Sequence, residues 1–208
     1  MFTHPSSFLR QLYPSLEWKV DTNEPNIYLT FDDGPTPGVT EWVLDTLKKY
    51  NAQATFFCIG KNVAAHPEIY QRVIDEGHQV GNHSFNHVNG WKNTSSTYVH
   101  DVKQCAELVE SKLFRPPYGK ISPTQIKALK KDFKIIMWSV LSKDFHPGTS
   151  KEKSLKITLK QLKKGDIIIL HDSVKAEENM KYVLEKLLIY AQEKGWKCKK
   201  LSDFDQKN

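Results

Sequence analysis

The sequence predicts an α/β fold, a distorted (β/α)7 barrel in a single domain, and three observations carry the prediction. Short β-rich runs alternate with longer helical patterns along the chain. The strand runs, of which Ile167-Ile168-Ile169-Leu170 is the clearest, are continuously apolar, as a parallel sheet covered on both faces requires. Every cluster of chemically capable side chains falls just after the C-terminal end of a different strand. A barrel gathers those ends at one mouth, whereas an open sheet spreads them along a line.

The elements follow in order. Strands are expected over 27–31, 55–59, 79–82, 113–115, 134–140, 166–171 and 197–201. Helices are expected over 39–50, 67–76, 95–112, 122–132, 150–163 and 177–194. Pro67 suits a first helical turn, where its missing N–H has no intrahelical partner to lose. Ser122 followed by Pro123 reads as a cap and first turn, and Gly77 and Gly195 read as C-terminal stops. The seven strands form one domain spanning 1–208 with a core over about 24–205, and the first and last strands need not close the ring.

Composition narrows the class. The 208 residues suffice for one packed core, and 39% apolar with 26% charged residues is the balance of a globular chain rather than a disordered or membrane-spanning one. The net charge of +6 is compatible with anionic partners. The lysine-rich stretches fall on expected helix faces or strand ends, however, and no nucleic-acid module accompanies them, so no nucleic acid is expected as a partner. Cys58, Cys105 and Cys198 are odd in number and far apart, which excludes a disulfide framework and suggests a reducing compartment. Residues 1–18 lack a charged start followed by an apolar run, and no run approaches the ~20 residues that span a bilayer. A cytoplasmic protein without a transmembrane segment is the expectation.

Five clusters carry the chemistry. Asp32 and Asp33 in Thr30-Phe31-Asp32-Asp33-Gly34-Pro35 close the first strand, where Gly-Pro forces a turn. Two adjacent carboxylates cannot comfortably share one role; if Asp33 binds a cation, Asp32 stays ionised beside it as a base. His83 and His87, four apart after the third strand, are expected on one side of a helical turn. With Asp33 they make two imidazoles and a carboxylate, a set that suits catalytic Zn2+ or, in its place, Co2+, Ni2+ or Fe2+. Phe114-Arg115-Pro116-Pro117-Tyr118-Gly119 is stiffened by two prolines that leave the Tyr118 N–H as a fixed donor. Trp138 to Phe145 follows the fifth strand, and His171 ends the sixth. Taken singly, each cluster also has a plain structural reading, as a solubilising turn, a surface histidine pair, a rigid connector or a capped core residue. Trp91 and Phe145 fall near the expected mouth, where each either stacks on a ligand ring or fills the core.

Together and in this order, the five clusters resemble the motifs of the polysaccharide deacetylases, carbohydrate esterase family four, also called the NodB homology domain. The resemblance runs from Thr30 to Asp172. It implies a seven-stranded distorted barrel, metal ligation by Asp33, His83 and His87, and Asp32 as general base. It further implies His171 as general acid, Arg115 as the residue orienting the base, Tyr118 as the oxyanion donor, and Leu170 in the pocket for the acetyl methyl. The fourth cluster departs from the family, with Leu141 where an Asp is usual and Phe145 where a Trp is usual. In the family that acid supports the catalytic histidine, so its loss implies either a lowered pKa for His171 or reliance on Asp144, also taken as a substrate contact, or on another partner.

The expected function is metal-dependent removal of N-acetyl groups from N-acetylglucosamine-containing glycans, with an acetylated glycan as partner. Two alternatives stand beside it: an O-acetyl esterase acting on xylan-like glycans, and a glycan-binding protein whose catalytic site has decayed. Asp32 and His171, present alongside all three ligands, argue against decay.

Overall fold

The computed structural model describes residues 3–160 and 162–201. Its elements are α1 (Ser7–Leu12), β1 (Asn26–Asp32), α2 (Val39–Lys49), β2 (Thr55–Cys58), α3 (Gly60–Ala65), α4 (Pro67–Asp75), β3 (Gln79–Asn82) and α5 (Ser95–Ala106). They continue with β4 (Leu113–Phe114), α6 (Pro123–Leu129), β5 (Lys134–Ile135), β6 (Val140–Leu141), α7 (Lys151–Leu159), β7 (Ile167–His171), α8 (Glu177–Glu193) and β8 (Lys197–Lys199). The strands form one parallel sheet in the order β5-β4-β3-β2-β1-β7-β6, curled into a distorted barrel, with β8 added beside β1.

Local chemistry explains the boundaries. Ser122 accepts from the Gln125 N–H while the Gln125 side chain accepts from the Ser122 N–H, a reciprocal cap that starts α6 with Pro123 in its first turn. Ser150 caps α7 by accepting from the Lys153 N–H, without a return bond. Pro67 opens α4, and Gly77 at φ 81° and Gly195 at φ 65° end α4 and α8 in the left-handed region. The helices bury one stripe against the outside of the sheet. Leu44 and Leu47 of α2 and Leu184 and Leu187 of α8 pack on Leu29, Phe31, Ile168 and Leu170 in one continuous core.

Several expectations change. The helix expected over 95–112 stops at Ala106, and Val109 turns inward, fully buried, ahead of β4. The helix expected over 150–163 ends at Leu159, and residue 161 lies outside the described residues, as do residues 202–205 of the expected core. α1 and α3 were not expected; six-residue helices such as Gly60-Lys61-Asn62-Val63-Ala64-Ala65 are too short to show an apolar period.

The run 134–140 is two strands rather than one. The Ile136 carbonyl accepts from Arg115 Nε (3.4 Å) and the Met137 carbonyl from Arg115 Nη2 (2.9 Å), so these carbonyls face a side chain rather than a neighbouring strand. The opening in the barrel therefore lies between β5 and β6, not between first and last strands. The N-terminal segment lies along this seam. Glu17 N–H donates to Ile135 O (2.9 Å), Met137 N–H donates to Glu17 O (2.7 Å), and Val20 N–H donates to Gly165 O (2.9 Å). None of the described helices is long and apolar enough to cross a membrane.

Gly165 makes this strap possible. It sits at φ 81°, and a Cβ there would lie 2.2 Å from the Val20 carbonyl oxygen. Gly165→Ala is expected to lower stability by about 1–3 kcal/mol through left-handed strain and displacement of the strap. Chemical denaturation of wild type and variant measures it; an unchanged midpoint would show that the strap contributes nothing.

Candidate active site

The first strand ends by delivering two carboxylates in different directions. Asp33 adopts φ 86°, and the following turn is pinned from below by Asp172. The Asp172 carboxylate accepts from the Gly34 N–H (3.0 Å) and from the Thr40 hydroxyl (2.6 Å). A Cβ on Gly34 would lie 2.0 Å from Asp172 Oδ2, so only glycine fits here. Burial pushes the Asp172 carboxyl up to about 8, against the opposing pull of the Thr40 and Gly34 donors. Asn62, in α3, donates to the Asp33 carbonyl at 2.8 Å and fixes the turn from the other side.

The two histidines converge through a loop rather than a helical turn. After β3, Ser84 (φ 61°) and His87 (φ 56°) both enter the left-handed region. The loop is held from beneath: Asn82 Oδ1 accepts from the Ser84 N–H, and the buried Asp101 carboxylate accepts from the Phe85 and Asn86 N–H groups. The result places the rings of His83 and His87 5.1 Å apart, with His87 Nε2 3.2 Å and His83 Nε2 3.9 Å from Asp33 Oδ1.

The ligand atoms of Asp33, His83 and His87 lie within 4.8 Å of one another, the one such group among the described residues. His83 Nδ1 donates to the Arg115 carbonyl (2.8 Å), which fixes its tautomer and leaves Nε2 unprotonated. Burial pushes the His83 pKa down to about 4, keeping the ring neutral. Burial alone would raise the Asp33 pKa, but the His87 hydrogen bond and the neighbouring His171 and His83 hold it below the usual carboxylate range. A carboxylate and two imidazoles, aimed at one point with positions left open, fit a divalent transition metal of catalytic type.

Two ion pairs flank this group. Arg115 is fully buried; its Nη1 donates to Asp32 Oδ1 (2.7 Å) and to Thr30 Oγ1 (2.7 Å), and its guanidinium lies 4.1 Å from the Phe57 ring centroid. On the other side, Asp144 takes the His171 ring. Its Oδ1 accepts from His171 Nδ1 (2.8 Å) and its Oδ2 accepts from the His171 backbone N–H (2.7 Å). Burial would lower the His171 pKa, but Asp144, with Asp33 and Asp32 beyond it, carries it up to about 9. Of the two alternatives for the missing acid at Leu141, the geometry supports reliance on Asp144, three residues on, and not a lowered His171 pKa. Asp144 is correspondingly not a substrate contact: it is 1% exposed and both carboxylate oxygens are engaged.

These groups meet in a cavity of about 120 Å³ lined by Asp32, Asp33, His83, His87, Arg115, Tyr118, Phe145 and His171 from the expected set. Leu170 does not line it. Strand residues alternate faces, so with His171 pointing inward Leu170 faces outward into the core under the helices, and Ile169 takes the inner position. Period two along the 167–170 run could have shown this.

Trp138, Leu141 and Gly119 complete the apolar wall, and Lys175 stands at the lip; the sequence offered no signal for Lys175. Tyr118 sits at φ 60°, with its ring 4.5 Å from the His87 ring. Trp91 is 65% exposed beside the mouth, on an adjoining groove of about 370 Å³ that shares Tyr118, Gly119 and Trp138 with the cavity. Its indole N–H donates to the Ile121 carbonyl (3.2 Å). A larger cleft, about 860 Å³, opens near the N-terminal ends of β2 and β3 around Gln53, His78 and Trp196; no metal-ligand group gathers there among the described residues.

The polysaccharide deacetylase family model matches residues 19–132. A peptidoglycan-N-acetylglucosamine deacetylase of Bacillus cereus is 33% identical over 93% of this chain and 95% of its own length, while the chain spans 57% of a second, longer B. cereus enzyme of the same name. A chitooligosaccharide deacetylase of Azorhizobium caulinodans is 31% identical over 77% of this chain and 80% of that protein. A crystal structure of a peptidoglycan N-acetylglucosamine deacetylase superposes with a TM-score of 0.84 at 29% identity, covering 96% of this chain and 97% of that one.

The His171–Asp144 pair yields a stability prediction. A group whose pKa is raised on folding from 6.5 to about 9 contributes stability fully present below 6.5 and lost as pH rises through 9. The stability gap between metal-free wild type and Asp144→Asn is therefore expected to be largest below pH 6.5 and to narrow towards pH 9. Denaturant titrations across that range measure it, and a gap independent of pH would refute the pairing.

Proposed function

The chain belongs to the polysaccharide deacetylase family, and from that premise we propose that it removes N-acetyl groups from N-acetylglucosamine-containing glycans by water attack inside the cavity between Asp32 and His171. Chitin oligomers, peptidoglycan and surface polysaccharides are the candidate substrates. The observation that carries the reading is the opposition of two ion pairs, Arg115–Asp32 and Asp144–His171, across the Asp33, His83 and His87 group.

Asp33, His83 and His87 would hold one divalent ion, Zn2+ or a similar transition metal, whose Lewis acidity polarises the acetyl carbonyl and acidifies water. Asp32 is the base. Arg115 occupies its Oδ1 and so orients the carboxylate to take the proton of the attacking water. The Tyr118 N–H, following two prolines that have none, donates to the oxyanion of the tetrahedral intermediate, a contact worth roughly 3–4 kcal/mol. The acetyl methyl packs on Ile169, Leu141 and Phe145. Collapse requires a proton for the departing amine. His171, held protonated to about pH 9 by Asp144, delivers it. An ester leaving group needs that proton far less, so a histidine kept protonated at neutral pH beside the leaving group favours the amide reading. Trp91 offers its indole to a neighbouring sugar of the chain.

The zinc-loaded protein is expected to release acetate from N-acetylglucosamine oligomers, and a chelator to abolish release. Asp32→Asn should keep the metal and lose roughly 10²–10⁴-fold in kcat. His83→Ala should lose both metal and activity. Metal content by mass spectrometry beside acetate release separates the cases, and a fully active Asp32→Asn would remove Asp32 from the role of base. Activity should also fall as pH rises past about 9, where His171 loses its proton. Asp144→Asn should move that alkaline limb to lower pH; a pH–kcat profile with an unmoved limb would take His171 out of the acid role.

A further inference from the structure

At the end of the barrel away from the catalytic mouth, α2, α4 and α8 finish together beside the N-terminal ends of β2, β3 and β8. Asn51 (φ 50°), Gly77 (φ 81°) and Gly195 (φ 65°) turn the chain there from helix to strand. The cleft of about 860 Å³ opens between these turns, a size that suits a small organic ligand. The seven residues of β1 put roughly 20 Å between this end and the mouth.

The wall of the cleft holds polar groups that the fold does not use up. His78 is 8% exposed, and its Nδ1 accepts from the Ala54 N–H (3.3 Å). Burial pushes its pKa down to about 4, so the ring is neutral and carries its proton on Nε2, which has no partner among the described residues. Gln53 spends its Nε2 on the Gly77 carbonyl (3.3 Å), which leaves its Oε1 as an acceptor. Trp196, set edge-on to Tyr190 (centroids 6.1 Å), is half-buried, and its indole N–H likewise has no partner among the described residues. Tyr50 adds a second ring to the lining.

The electrostatics select an uncharged ligand. Lys48, Lys197 and Lys199 stand against Asp75 and Glu76 around the rim, so the charges nearly cancel. Three helix C-termini turn their negative ends this way, and Lys200 Nζ already caps the Gly77 carbonyl (3.0 Å), which disfavours an anion. Two open N–H donors, an open amide acceptor and aromatic faces together match a ring with hydroxyls on its edge and C–H groups on its faces. We propose that this cleft is a second glycan-binding site, which holds one uncharged sugar of the polymer while another is processed at the mouth. The identity of that polymer rests on the deacetylase reading. Trp196 covers a face of the ring, and His78 and Gln53 take its hydroxyls. A long glycan held at this end of the barrel stays near the mouth at high effective concentration, whereas a short oligomer reaches one site at a time.

The test follows the indole N–H signals of the five tryptophans by NMR as the N-acetylglucosamine trimer is added to zinc-loaded Asp32→Asn protein. The Trp196 signal is the one absent from Trp196→Phe. It is expected to shift and saturate, with a dissociation constant separate from that of the Trp91 signal at the mouth. Gln53→Ala, a change at a half-buried surface position, should weaken binding at Trp196 about fivefold and leave the Trp91 response as it was. In the otherwise wild-type enzyme, Gln53→Ala should keep acetate release from the trimer and lose retention on the insoluble polymer. A Trp196 signal that does not move, or one that responds equally in Gln53→Ala, overturns the proposal. Displacement of the trimer from Trp196 by inorganic phosphate would overturn the assignment to an uncharged sugar. Acetate release by wild type, measured beside these titrations, separates the two readings: release with an unmoved Trp196 sinks the second site alone, and a moving Trp196 without release sinks the deacetylase reading alone.

Discussion

The buried pair between Arg115 and Asp32 is the interaction on which the rest of the molecule turns. A guanidinium with 1% exposure is costly to desolvate, and the structure offsets that cost by satisfying it from four directions. Asp32 and Thr30 take one nitrogen, the carbonyls of Met137 and Ile136 take the other two, and the Phe57 ring covers a face. The same carbonyls belong to the stretch where β5 gives way to β6. One side chain thus orients a carboxylate at the mouth, braces the interior of the barrel and coincides with its seam. Removing either partner leaves a buried charge alone, a change that costs about 3–5 kcal/mol in comparable sites.

The mouth works by giving similar groups different environments. Asp32 faces an arginine, Asp33 faces two histidines, Asp144 faces a third, and Asp172 faces only a hydroxyl and a backbone N–H. Four carboxylates within one small region therefore hold four different roles. The histidines divide in the same manner: burial keeps His83 neutral and suited to ligation, whereas Asp144 keeps His171 charged and suited to donate a proton. Local backbone strain supports this arrangement. Asp33, Ser84, His87 and Tyr118 all sit at positive φ, and the Asp33 and Ser84 turns are held by Asp172, Asn62 and Asn82.

Much of this was legible in the chain. The apolar runs and their punctuation located the sheet and its crossovers, because strand burial and helix capping are local properties. The clusters after successive strand ends named Asp32, Asp33, His83, His87, Arg115, Tyr118 and His171 as residues of one site, and all of them line one cavity. The misreadings share a cause. Leu170 was taken for a pocket residue although it alternates with His171. Asp144 was given to the substrate although the chain folds its carboxylate under His171. The single strand over 134–140 ignored a guanidinium arriving from β4.

What the sequence by itself determined is the set of elements, the parallel α/β barrel and the inventory of reactive groups, since periodicity, propensity and residue type act over a few residues. Only the tertiary structure decided which carboxylate serves which partner, where the barrel opens, and that Lys175 stands at the lip of the cavity. Those outcomes depend on distances between residues such as Asp144 and His171, or Lys175 and Asp33, that are far apart along the chain. At that range the direction of a side chain and its burial, rather than its identity, set its charge and its partner.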